Sequence, residues 1–224
     1  RKTLIDHFFA PDTTLEAFRS GEHVGQGDFI QGVYETKLRR SPDRVQVLMT
    51  REGQASGTTI KLTKGVTLTA GSSTLEIAYS LENLPPEQTF HFGVEFNLAG
   101  LPAGADDRFY YQGDSENRLG QLGTCLDLQD VDQLGLIDQW LGVDVGWSTA
   151  RAAQLWAFPI ETVSRSEGGF EAVHQSVVLL PHWHVQGDAT GRWAVTMKLQ
   201  IDTSLAESRM HNLNSIQNQE SLVS

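Results

Sequence analysis

Glu95 lies in a run of alternating residues that also sets His91 and Asn97 on its side of the chain. A carboxylate and an imidazole are the parts of an acid–base pair. Four residues along a strand span about 13 Å, too far to flank one pyranose ring, so a histidine from a neighbouring strand would have to supply the acid. The plainer reading is a hydrogen-bonded polar face under a covering segment. His182-Trp183-His184 has the His-x-His spacing. On a strand both imidazoles would project to one side, about 6–7 Å apart, as a shared metal requires. His174 is the candidate third ligand, but Pro181 interrupts the register argument. The preferred reading is two bonded or exposed histidines at a strand end. Asp106, Asp107, Asp127, Asp130 and Asp132 could offer oxygens to calcium, yet they lack the glycine-centred loop of known sites. They are expected as solvated loop acids. No metal and no cofactor is expected. Gly25-Gln26-Gly27 lacks the third glycine and the helix of a phosphate loop, no Gly-x-Ser-x-Gly elbow occurs, and Cys125 has no nucleophile's context.

The aromatic residues are the other chemical handle. An indole offers a wide flat surface to the C–H face of a sugar ring, with a polar tip for a hydrogen bond. Trp147 and Trp193 align with apolar neighbours and are expected in the core. Trp140 falls opposite Leu141 and Val143, and Trp183 sits between two histidines. Trp140 and Trp183, with Tyr110 and Tyr111, are the candidates for stacking on a carbohydrate. His182, His184, His91 and Glu95 could supply hydrogen bonds. Packing against another domain is an equal rival for the exposed aromatics.

Strands must position these residues. Phe90, Phe92, Val94, Phe96 and Leu98 alternate with His91, Gly93, Glu95 and Asn97, and Trp193, Val195, Met197, Leu199 and Ile201 alternate with polar or small residues. Leu75–Leu81 and Leu141–Trp147 follow the same period of two, which sets one face into a core. Shorter runs at Phe29–Thr36, Val45–Thr50, Thr58–Thr63, Val66–Thr69, Arg151–Phe158 and Ser176–Leu180 also suit strands. Turn clusters such as Glu52-Gly53, Leu84-Pro85-Pro86 and Glu167-Gly168-Gly169 separate the runs. About ten strands and no βαβ alternation predict an all-β fold, a large antiparallel β-sandwich. Thr13 and Glu16 have capping-box spacing before Leu15 and Phe18, and Gly21 can end the turn, which predicts one short N-terminal helix. The expected division is a linker and short helix over 1–27, the sandwich over 28–204 and a polar C-terminal tail over 205–224. Residues 101–133 read as an irregular surface excursion.

Composition bounds the partners. Twenty-eight acidic against 17 basic residues give a formal charge of -11. Such a surface repels phosphate backbones and anionic lipid, so neither nucleic acid nor membrane is expected as a partner, whereas a neutral sugar meets no such repulsion. No stretch approaches the ~20 apolar residues of a membrane span. The single cysteine rules out an internal disulfide and points to a reducing compartment, the cytoplasm.

Several segments, in order, resemble the carboxy-terminal domain of family 57 glycoside hydrolases of the 4-α-glucanotransferase and α-amylase type. They are Arg1-Lys2-Thr3-Leu4-Ile5-Asp6-His7-Phe8, Gly27-Asp28-Phe29 with Tyr34, Phe92-Gly93-Val94-Glu95-Phe96-Asn97-Leu98, Asp138-Gln139-Trp140-Leu141, Trp156–Val163 and Gln175–Trp183. The likeness runs from residue 1 to about Thr203. It implies a galactose-mutarotase-like supersandwich that follows a catalytic (β/α) barrel in the same parent chain. The barrel of that family carries the catalytic carboxyl groups, and no segment here resembles it, so no catalytic residue carries over. The resemblance implies a non-catalytic domain that packs against the barrel and shapes part of an α-glucan cleft. A free-standing aldose mutarotase or epimerase, or a carbohydrate-binding module, is the alternative.

Overall fold

The computed structural model describes residues 2–101, 103–166 and 169–211. In chain order the elements are β1 (Ile5–Phe9), α1 (Leu15–Ser20), β2 (Glu35–Ser41), β3 (Arg44–Ala55), β4 (Thr58–Thr69), β5 (Thr74–Glu82), β6 (Phe90–Ala99), β7 (Arg108–Tyr111), β8 (Arg118–Gln121), β9 (Leu126–Asp138), β10 (Val143–Ser166), β11 (Gly169–Val185) and β12 (Trp193–Asp202). All the pairings are antiparallel. The main path runs β1-β6-β11-β10-β12-β5-β4-β3-β2, with β9, β7 and β8 built out from β10.

The expected pair of sheets is one continuous sheet folded upon itself. The fold lies in β10, whose 24 residues the sequence divides into two shorter runs. Asp144–Thr149 pair with β12, and Gln154–Ser166 pair with β11. One strand thus belongs to both layers. Across the gap, Phe92 of β6 meets Tyr79 of β5 and Trp193 of β12, with ring centroids 5.8 and 6.0 Å apart. Phe90, Phe92, Val94 and Phe96 enter this interior, as the alternation predicts, and so do Trp147 and Trp193.

Several expectations change. The opening segment, taken as a linker, contributes β1, and Phe8 and Phe9 are buried there. Glu52-Gly53 lies inside β3, and the turn comes at Ser56-Gly57, whose φ angles of 48° and 79° suit a two-residue hairpin with the twist of its strands. The run from Phe29 becomes strand only at Glu35. The excursion over residues 101–133 is partly ordered as β7, β8 and the first half of β9. The short helix forms where expected, but Thr14, not Thr13, is its cap: the Thr14 hydroxyl accepts from Ala17 N at 3.3 Å. Of the expected tail, residues from 212 onward lie outside the described residues. Residues 204–211 are helical and rest on the β9–β10 turn, where Arg209 Nη1 donates to Gln139 O and Trp140 O.

A buried ion pair ties the layers together. Asp6 of β1 is 1% exposed and accepts from Lys64 Nζ of β4 at 2.6 Å and from Tyr79 Oη of β5 at 2.8 Å. Tyr34 Oη donates to the same carboxylate, and Lys64 also donates to Leu4 O at 2.7 Å. A buried charge is tolerable only with such a full set of donors.

Candidate functional site

The outer face of β1, β6, β11 and β10 holds most of the polar candidates, and α1 covers it. Phe18 of the helix meets Phe9, Trp156 and Phe158, and these close a small apolar cluster with Val178 and Leu180. Gly93 permits the fit. A Cβ there would come 2.7 Å from Phe9 Cε2 and 2.9 Å from Leu180 Cδ2. His7 packs edge-on against Phe18, with ring centroids 5.2 Å apart, and His7, His91, Glu95 and His182 are each 5% exposed or less on this face.

Within it the polar groups form two separate sets. Glu95 Oε2 accepts from His7 Nε2 at 2.8 Å, and Glu95 Oε1 accepts from Asn97 Nδ2 at 2.6 Å. Asn97 Nδ2 donates also to Lys2 O at 2.8 Å. In the second set His91 Nδ1 lies 3.2 Å from Ala10 O and His91 Nε2 lies 2.7 Å from His182 Nδ1. A carbonyl only accepts, so the proton of His91 is on Nδ1. Its Nε2 is then an acceptor, and His182 donates from Nδ1. Burial lowers His91 to about 4 and His182 to about 3, so both rings are neutral near pH 7. His182 Nε2 is left as a buried acceptor with no partner among the described residues.

This geometry sorts the sequence candidates. Glu95 and His91 share a face but not a site, and both are buried, at 4% and 3% exposure. Tyr110 is fully buried and donates to Leu122 O at 3.3 Å, so it is core rather than a stacking residue. Tyr111 is half-buried and donates to both Asp144 oxygens, at 2.9 and 2.8 Å. Trp140 is 73% exposed on the β9–β10 turn, where the Asp138 carboxylate caps Leu141 N at 2.9 Å. Trp183 is inward and buried, and its indole donates to Arg151 O at 3.4 Å. Pro181 sits within β11 without shifting the register to β6. His182 and His184 therefore do share a face, but His91 stands between them: it bonds His182 and stacks on His184 at 4.5 Å. His174 is turned to Leu101 O at 2.8 Å. Among the described residues no three His, Cys, Asp or Glu side chains converge as metal ligands.

Sequence reasoning missed the place where β9 and β10 part. Their ladder runs to Ser148↔Gln133 and resumes at Ala153↔Val131 and Leu155↔Leu128. β10 bulges outward over 149–152 and β9 at 129–130. Asp130 takes up the strain with φ at 55°. A hollow of about 450 Å³ opens there, and Asp130, Arg151, His182, Trp183, His184 and Trp193 are among its walls. The sequence carried one faint signal, since Asp tolerates a left-handed backbone better than most residues. Nothing in it marked Arg151.

Residues 1–197 match the family model described as alpha-amylase/4-alpha-glucanotransferase, C-terminal. A 4-alpha-glucanotransferase of Thermococcus kodakarensis is 25% identical over 188 residues, which are 84% of this chain and 24% of that protein. The crystal structure of 4-alpha-glucanotransferase from Thermococcus litoralis superposes with a TM-score of 0.65 at 22% identity, covering 89% of this chain and 27% of that one. A putative aldose 1-epimerase from Klebsiella pneumoniae shares the fold at a TM-score of 0.51 and 9% identity, covering 82% of this chain and 58% of the other. The chain therefore spans about a quarter of the length of the glucanotransferases it matches.

Proposed function

Because the chain belongs to the alpha-amylase/4-alpha-glucanotransferase C-terminal family, we propose that it is the non-catalytic β-sandwich of an enzyme acting on α-glucans. In this reading it packs against the catalytic barrel of the same parent chain, which the relatives' additional three quarters would contain. The observation that carries it is coverage: the family match takes in residues 1–197, while the relatives are about four times as long. The buried polar groups agree with a supporting role. Glu95 is occupied by His7 and Asn97, and Asp6 by Lys64 and two tyrosines, so these carboxylates hold the fold instead of standing at an open cleft.

The test is a deletion in the parent gene. Without this domain the remainder should aggregate or lose most of its activity on maltooligosaccharides. A remainder that stayed soluble and fully active would refute the packing role. The epimerase fold invites a second assay, polarimetry with fresh α-glucose. No acceleration by this chain is expected, because no carboxylate and imidazole converge from Glu95 and His91.

A further inference from the structure

We propose that the hollow at the facing bulges of β9 and β10 binds an uncharged, polyhydroxylated ligand, one or two hexose units, through Asp130, Arg151 and His182. The further step to α-glucan as the source of those units rests on the reading given above.

The argument begins with the backbone. Bulges re-aim side chains and recur beside binding sites, and here two face each other across one ladder. A non-glycine residue at positive φ is costly and persists where the surroundings hold it. Asp130 is such a residue, and it stands on the wall of the hollow. The volume of about 450 Å³ lies within the range of small-molecule sites.

The wall chemistry selects the ligand. His182 Nε2 is a buried lone pair with no partner among the described residues, so it calls for a donated O–H or N–H. The Asp130 carboxylate also accepts. Arg151 donates: its guanidinium lies 5.9 Å from the centre of the Trp193 ring and makes no side-chain ion pair among the described residues. Trp183 and Trp193, 5.5 Å apart, add apolar surface. A ligand that both gives and takes hydrogen bonds and has an apolar face satisfies all of these. A phosphate or carboxylate would meet Asp130 and the bare nitrogen of His182 with nothing to give them, on a chain of formal charge -11. A cation would meet Arg151.

The five indole N–H signals of this chain provide the readout. In an NMR titration with maltotetraose, the Trp183 and Trp193 signals should move saturably and that of Trp140 should stay. Asp130→Gly removes the carboxylate while suiting the positive φ, so it should weaken binding at least tenfold without lowering the thermal midpoint. Arg151→Ala should weaken binding similarly. Trp140→Ala, placed on a distant turn, should leave it unchanged. No shift of the two signals by either maltotetraose or cellotetraose at tens of millimolar would overturn the site, as would binding that survives both Asp130→Gly and Arg151→Ala. Inorganic phosphate moving the same signals in place of the sugars would overturn the ligand class. If cellotetraose alone binds, the hollow stands and the α-glucan assignment falls.

Discussion

The hydrogen bonding of single side chains decides the character of this domain. Glu95 is one of 28 acidic residues, and only its contacts separate it from a catalytic carboxylate. Glu95→Ala leaves the buried His7 N–H without its acceptor and should cost about 1–3 kcal/mol in urea denaturation. Glu95→Gln keeps one acceptor oxygen and should cost less. The imidazoles make a pH prediction. In an unfolded chain a histidine titrates near 6.5, whereas burial holds His91 at about 4 and His182 at about 3. The folded values lie below the unfolded ones, so the unfolded chain takes up protons first as the pH falls. Stability is therefore full above pH ~6.5 and drains as the pH falls, toward pH ~4 for His91 and toward pH ~3 for His182, by up to about 1.4 kcal/mol per pH unit for each ring. His182→Gln should make that acid slope shallower. A slope identical to that of the parent chain would show that His182 does not contribute.

Among the elements, α1 matters most for its size. Its six residues are too few to hold a helix alone. It persists because Phe18 packs on Phe9, Trp156 and Phe158 and because Thr14 caps it. Thr14→Ala should destabilise the domain by about 1 kcal/mol, and Thr13→Ala should do almost nothing, which thermal denaturation of the two variants would compare. Gly93→Ala tests the fit beneath the helix. Its methyl would meet Phe9 and Leu180, and the crowding should cost about 1–3 kcal/mol. The same change should loosen α1, read as faster amide exchange at Ala17 and Phe18. The helix was legible in Pro11–Gly21, but its cap was misplaced by one residue, since adjacent threonines offer the same chemistry and only the backbone angle selects between them.

At the scale of the molecule, Asp6 and Lys64 join β1 to β4, strands that share no ladder. Removing either partner strands a buried charge, so Asp6→Leu and Lys64→Met should each cost about 3–5 kcal/mol. The double variant should recover much of that loss, and a double-mutant cycle by urea denaturation would measure a coupling of at least ~2 kcal/mol. Additive losses would mean that the pair does not act as a unit. Nothing in the sequence announced this contact. Asp6 and Lys64 are 58 positions apart, and neither stands in a motif that requires the other.

The alternation of large apolar residues with polar ones determined by itself that the chain is a β protein, which residues enter its interior, and that Trp147 and Trp193 are core. It could do so because a strand's side chains change face at every residue, so the pattern encodes burial locally. Only the tertiary structure decided that one sheet folds over at β10, that β1 belongs to it, that Glu95 and His91 are buried in separate hydrogen-bonded sets, and that the β9 and β10 bulges open beside Arg151. These depend on which distant strands become neighbours. Local periodicity is the same whichever partner a strand finds, so it cannot say where two polar faces meet.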